Sequence, residues 1–288
     1  MKHFLTLLLL VLSLPLASSA STHYTYETGN YMRTTLPYRK ATFGSGMSAP
    51  ILVIYLHGGS SKGSDNEKPV AEPATDSIAN YLQAHSIDAV FLVPQCPQDK
   101  SWGGTMNVVL KGLIDQYVNA GTVDADRVYL LGGSMGGTGT LSMLSTFPEL
   151  FAAAMPVAAD PSRSDAKKVA QVPLYTVMGT VDEIMSVGNM DTFTQELAEN
   201  GGEFRYDIED GWTHEMTCIQ SYTTQRLDWV FSHKQSGTPN GIEHMTGDSE
   251  GETRYYTLGG MEIEKPLIGQ PTVVRQGGKT FKMVRLAH

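Results

Sequence analysis

One serine in this chain stands where few side chains fit. Leu130 to Leu141 reads LLGGSMGGTGTL, with five glycines around Ser134. Glycine loses the most backbone entropy on ordering and is unfavourable inside helix and strand alike. Yet RVYLL before it reads as a strand and TLSMLSTF after it as a helix, so the glycines mark a junction that needs permissive backbone. A strand that lifts a side chain above its sheet and enters a helix at once must turn sharply, and the crowding leaves room only for glycine on either side. Gly132-Gly133-Ser134-Met135-Gly136 meets that need and presents the Ser134 hydroxyl as a nucleophile. A phosphate-cradling loop is excluded, because G-x-x-x-x-G-K-[ST] needs a lysine that Gly137-Thr138 does not supply.

A serine hydroxyl is a weak nucleophile near neutral pH, so it requires a base, and the base requires an orienting carboxylate. On doubly wound sheets the chain order is serine, acid, histidine. Downstream histidines are His214, His233, His244 and His288. The last two fall in polar or tail sequence and His233 closes a helix, which leaves His214, in the loop DGWTHEMT after a strand. The acid belongs just past the intervening strand, where TVMGTVDEIM offers Asp182, with Glu183 as the neighbouring alternative. A developing oxyanion needs two backbone N–H groups. Met135 supplies one, and His57-Gly58-Gly59-Ser60, following ILVIYL, supplies the other from Gly59 or Ser60. His57 reads as structural. Trp102, past another strand end, is either an aromatic wall for an acyl group or a partly buried rim residue.

These positions need a frame. Residues 51–58, 88–96, 127–134, 151–159, 173–179 and 203–210 are apolar or alternating runs closed by Gly, Pro or polar residues. Between and after them lie SIANYLQAHS, NVVLKGLIDQYVNAG, TLSMLSTF, MDTFTQELAENGG and YTTQRLDWVFSH, with apolar residues three and four apart. Gly121 and Gly201 serve as C-terminal caps. Apolar strands alternating with helices imply an α/β fold with a mostly parallel central sheet covered on both faces. Such sheets bind ligands beyond the carboxyl ends of their strands.

The flanks differ. Residues 1–20 have a basic start, an apolar run and small residues, the pattern of a cleaved signal peptide, too short for a membrane span. The catalytic domain is expected over 21–235, a polar linker over 236–252, and a short β-rich C-terminal tail over 253–288, with Gly277-Gly278 as a hairpin turn. A secreted or periplasmic chain is implied, with no membrane insertion after cleavage. The net charge of −9, one unit more negative without Lys2, opposes nucleic acid and anionic membranes as partners. Cys96 and Cys218 would be able to pair in an oxidising compartment, but a core this large does not need the staple. No C-x-x-C, H-x-x-x-H or H-x-H spacing occurs, so no metal and no cofactor are expected.

At these residues the chain resembles the α/β-hydrolase fold and, within it, secreted esterases and predicted peptidases related to feruloyl and acetylxylan esterases and polyhydroxybutyrate depolymerases. LPYRKATF, LHGGSSKGSDN, VFLVPQCPQDKSW, DADRVYLLGGSMGGTGTLSMLSTFPELFAAAMPVA, MGTVDEIM and GWTHEM carry the resemblance in order over residues 31–233. It implies a serine carboxylesterase acting on short acyl or hydroxycinnamoyl esters, small or borne on plant polysaccharides. No long insertion between Phe151 and Pro173 is available for a lid, which favours short or polymer-borne acyl groups over long-chain lipids. The alternatives are a prolyl oligopeptidase-like serine peptidase and a non-catalytic surface binding protein on the same scaffold. The tail is similar to the sorting modules of type IX secretion, and so to contact with that machinery, although Gly269-Gln270-Pro271 replaces their usual motif.

Overall fold

The computed structural model describes residues 22–235 and, in the tail, residues 254–257, 262–263, 265, 271–276 and 279–284. The expected signal peptide, linker and Gly277-Gly278 turn lie outside the described residues.

The chain opens with two antiparallel strands, β1 (Thr25–Tyr31) and β2 (Thr34–Phe43), then alternates strand and helix. β3 (Ile51–Leu56) leads to α1 (Pro73–Ala84), β4 (Ala89–Pro94) to α2 (Thr105–Asn119), and β5 (Val128–Gly133) to α3 (Met135–Thr146). β6 (Ala153–Val157), the short α4 (Ala166–Val169), β7 (Leu174–Gly179) and α5 (Val187–Glu199) follow. β8 (Phe204–Glu209), α6 (His214–Gln220) and α7 (Thr224–Phe231) complete the main body.

The eight strands form one sheet in the order β1-β2-β4-β3-β5-β6-β7-β8, in which β3 through β8 run parallel and β2 joins β4 antiparallel. Its mid-strands are buried end to end because alternate side chains enter two separate cores. Leu52, Ile54 and Leu56 face α2, α3 and α5, where Leu110, Leu113, Leu144 and Phe193 meet them. Ile51, Val53 and Tyr55 face α1 and α7, against Ile78, Leu82, Leu227 and Phe231. A sheet with helices on both faces requires this two-sided apolar run. The six expected strands and five expected helices are all present.

Two features differ from the sequence reading. The β1–β2 hairpin extends the sheet before the first expected strand; β1 is an edge strand with mostly exposed residues, so it carries little hydrophobic signal. Helix α3 begins at Met135, five residues before the apolar periodicity does, so its first turns contain Gly136, Gly137 and Gly139.

The tail strands are β9 (Arg254–Thr257), β10 (Glu262–Ile263), β11 (Pro271–Gln276) and β12 (Lys279–Val284), in a separate sheet ordered β10-β9-β11-β12. Gln276 pairs with Lys279, bracketing the expected turn.

Connections from β3 lead to one side, to β4, while β5 lies on its other side. That reversal opens a crevice between the loops leaving β3 and β5 at the strands' carboxyl ends. Residues 57–61 and 133–136 border it.

Candidate active site

Ser134 sits at the turn between β5 and α3 with φ +57° and ψ −120°, a region that non-glycine residues rarely occupy. Its backbone is held by two bonds: Ser134 N–H donates to Val157 O at 3.0 Å and Thr138 N–H donates to Ser134 O at 3.0 Å. The glycines permit the approach of neighbouring backbone. A Cβ on Gly136 would overlap the Leu56 carbonyl, one on Gly132 the Gly136 carbonyl, and one on Gly137 would stand 2.5 Å from Val157 O. The glycine run is thus a consequence of α3 being pressed onto β3 and β6.

The loops after β7 and β8 are joined before either reaches the serine. Thr180 Oγ1 accepts from Gly211 N–H at 2.8 Å, and Val181 N–H donates to Trp212 O at 3.2 Å. Gly179 has no room for a side chain, because a Cβ there would collide with Trp212 O. Asp182 and His214 are therefore carried on one fused platform. His214 is the first residue of α6 rather than a loop residue, and Thr213 caps that helix by accepting from Met216 N–H at 3.3 Å.

His214 Nδ1–H donates to Asp182 Oδ2 at 2.8 Å, and His214 Nε2 lies 2.8 Å from Ser134 Oγ. An ionised carboxylate only accepts, so Nδ1 bears the proton and the Nε2 lone pair faces the hydroxyl. Asp182 is itself fixed, since its Oδ1 accepts from Ile184 N–H and Met185 N–H, each at 2.8 Å. Its side chain is fully buried and that of His214 is 15% exposed. Glu183, the alternative acid, is exposed, and it is Asp182 that bonds His214. The arrangement can withdraw a proton from Ser134 and return it to a leaving group.

An open cleft of roughly 470 Å³ lies over the serine, bordered by Gly58, Gly59 and Ser60 on one side and by Ile184 and Ile219 on the other. Glu72 and Tyr55 also reach it. Met135 N–H follows Ser134 directly and heads α3, where helix geometry leaves the first N–H groups without an internal partner. Opposite stand Gly59 and Ser60 at the start of a single 3-10 turn.

His57 and Trp102 build the back of that loop. His57 is fully buried; its Nδ1–H donates to Gly58 O at 2.6 Å and its Nε2 accepts from Cys96 N–H at 2.9 Å. Burial pushes its pKa down to about 4, which keeps the ring neutral. Trp102 is 6% exposed, donates its indole N–H to His57 O at 3.0 Å, and fills the space left by Gly139. It does not line the cleft, so of its two sequence readings the wall for an acyl group gives way to a buried prop. Cys96 and Cys218 are both free. Cys218 borders the cleft, with Sγ 4.0 Å from His214 Nε2, and burial pushes its thiol up to about 12.

Ile184, Ile219 and Glu72 at the cleft were not singled out from sequence. The first two sit on the Asp182 and His214 segments and were reachable from them. Glu72 lies in AEPAT, which reads as an ordinary helix start and carries no such signal.

A family model described as the prolyl oligopeptidase family matches residues 109–161, which take in most of α2 and all of β5, Ser134, α3 and β6. Among curated proteins none matches the chain significantly. Among solved structures, a thermostable esterase is 25% identical with a TM-score of 0.65, over 73% of this chain and 63% of its own. The chain thus spans less than two thirds of that esterase. An S-formylglutathione hydrolase from Agrobacterium tumefaciens is 14% identical, with a TM-score of 0.56 over 73% of this chain and 94% of its own. A ferulic acid esterase is 15% identical, with a TM-score of 0.56 over 73% of this chain and 98% of its own. By fold the chain is an α/β-hydrolase.

Proposed function

We propose that this α/β-hydrolase is a serine carboxylesterase that cleaves short acyl or hydroxycinnamoyl esters, small or borne on plant polysaccharides, outside the cytoplasm. The observation that carries the reading is the unbroken relay Asp182–His214–Ser134, with both links at 2.8 Å beneath an open cleft. Ser134 Oγ attacks the ester carbonyl while His214 Nε2 takes its proton, and Asp182 holds the imidazolium. The tetrahedral oxyanion faces Met135 N–H and the N–H of Gly59 or Ser60. His214 returns the proton to the departing alcohol, and water then hydrolyses the acyl-enzyme by the same route.

The substrate class is supported by the shape above the serine. Between β6 and β7 there is only the four-residue helix α4, so this segment forms no lid. Ile184, 68% exposed at the rim, offers an apolar rest suited to a short acyl chain or an aromatic ring. Export is supported by the charge and apolar pattern of residues 1–20.

Initial rates on acetylxylan, methyl ferulate and tributyrin test the substrate, with methyl ferulate or acetylxylan expected to lead. Ser134→Ala is expected to lower nitrophenyl acetate turnover by roughly 10⁴-fold or more. Retained turnover would overturn the reading.

The match to the prolyl oligopeptidase family over 109–161 favours a second reading, a peptidase using the same relay. Faster cleavage of a proline nitroanilide than of an acetyl ester would select it. Failure of both, with no labelling by a fluorophosphonate, would select a non-catalytic binding role.

A further inference from the structure

Glu72 precedes α1 at its N-cap, where a short polar side chain normally accepts from the helix's own first N–H groups. It makes no such bond. Its carboxylate turns instead toward the loop after β3: Oε1 accepts from Gly58 N–H at 3.0 Å and from Ser61 Oγ–H at 2.6 Å, and Oε2 accepts from Tyr55 O–H at 2.8 Å. No cation pairs with Glu72 among the described residues, and burial raises its pKa although all three bonds favour the ionised form. A half-buried carboxylate without a counter-ion is costly, so its three neutral donors are what keep it in place.

Those contacts fix the two successive peptide units that meet at Gly58, the 57–58 unit through its N–H and the 58–59 unit through its C=O. Gly58 N–H is taken by Glu72, while Gly58 O is taken by His57 Nδ1–H at 2.6 Å and by Ser61 N–H at 3.2 Å. A trans peptide is planar and holds N–H opposite C=O. Anchoring Gly58 O on the His57 side therefore turns the N–H of Gly59 the other way. Sterics do not supply this control, since a Cβ on Gly59 would meet nothing within 4 Å. The polar anchors do, and Glu72 is the one that also borders the cleft.

We propose that Glu72 is the positioning residue for the second oxyanion donor. It acts through Gly58 and Ser61 and does not touch the reacting atoms. The proposal rests on the esterase reading above, in which Ser134 attacks and the 57–61 loop faces the oxyanion.

The test compares Glu72→Ala, Glu72→Gln and Ser61→Ala with the unaltered full chain on nitrophenyl acetate, and measures inhibition by a trifluoromethyl ketone. Loss of one oxyanion donor costs on the order of 10²–10³ in kcat. Glu72→Ala is expected to approach about 10²-fold. Glu72→Gln keeps one acceptor oxygen but turns an amide toward the remaining donors, and is expected to lose about tenfold. Ser61→Ala is expected to lose less.

KM should stay within about threefold, and ketone affinity should fall in step with kcat/KM, because only the tetrahedral state uses the donor. A merely structural Glu72 would not produce that split. If Glu72→Ala does not fold, Glu72→Gln and Ser61→Ala decide. Unchanged kcat and ketone affinity in Glu72→Gln, beside an inactive Ser134→Ala, would overturn this proposal alone. An active Ser134→Ala would overturn the esterase reading and this proposal with it.

Discussion

Two glycine-containing turns face each other across the cleft, and they hold their shapes by different physics. The Gly132–Gly137 turn is set by close packing: Gly132, Gly136 and Gly137 stand against the carbonyls of Gly136, Leu56 and Val157. The 57–61 turn is set by hydrogen bonds. Gly59 has open space around it, and the turn hangs on Glu72, His57 and the Ser61 N–H. The same residue type therefore answers to opposite causes on the two sides of Ser134. One turn fails when a methyl group is added, the other when a polar partner is taken away.

The largest expected effect breaks the packed side. Gly136→Ala places a carbon inside the Leu56 carbonyl, which cannot retreat without moving β3. It is expected to cost about 4 kcal/mol or more and to give little folded protein, read by solubility and a urea melt. A melt within about 1 kcal/mol of the parent would show that the elbow is not held by contact.

His57 sharpens the polar side. With its pKa held near 4, the native state binds fewer protons than the unfolded chain between there and the ordinary histidine range. Stability from this group is full above that range and falls as pH drops through it. The expected slope is about 1.4 kcal/mol per pH unit, and His57→Asn should be flatter by one proton between pH 6 and 5. Equal slopes would remove His57 as the buried neutral anchor.

Gly59→Ala is the counterpart of Gly136→Ala. Its stability change is expected to stay under about 1 kcal/mol, because nothing crowds the site. A large loss in the melt would erase the distinction between the turns. The smallest effect is expected at Ile184→Ala, a few-fold rise in KM for methyl ferulate with kcat and melt unchanged, consistent with about 1 kcal/mol of apolar contact at an exposed rim. No change in KM would remove the aromatic rest.

Legibility in the sequence followed the same division. Ser134 was visible because steric crowding demands a run of glycines, and a run can be read. Asp182 and His214 were visible from their places past the ends of β7 and β8. The five strands β3 to β7 announced themselves through burial on both faces and β8 through the alternation of Phe204, Tyr206 and Ile208, whereas edge strand β1, mostly exposed and followed by Pro37 in β2, did not. Glu72 was not visible: its partners lie between 11 and 17 residues back along the chain, and no periodicity links a helix cap to a loop beneath it. Trp102 was readable as an aromatic near the site, but not the side it faces. That is decided by the gap at Gly139 and by the His57 carbonyl.

The central claim is that His214 activates Ser134 on the strained turn. Intact mass and peptide mapping after treatment with a fluorophosphonate test it most directly. A single adduct on Ser134 is predicted, absent in Ser134→Ala and slowed at least about 10²-fold in His214→Ala. An unlabelled chain, a label on another residue, or an undiminished rate without His214 would contradict it.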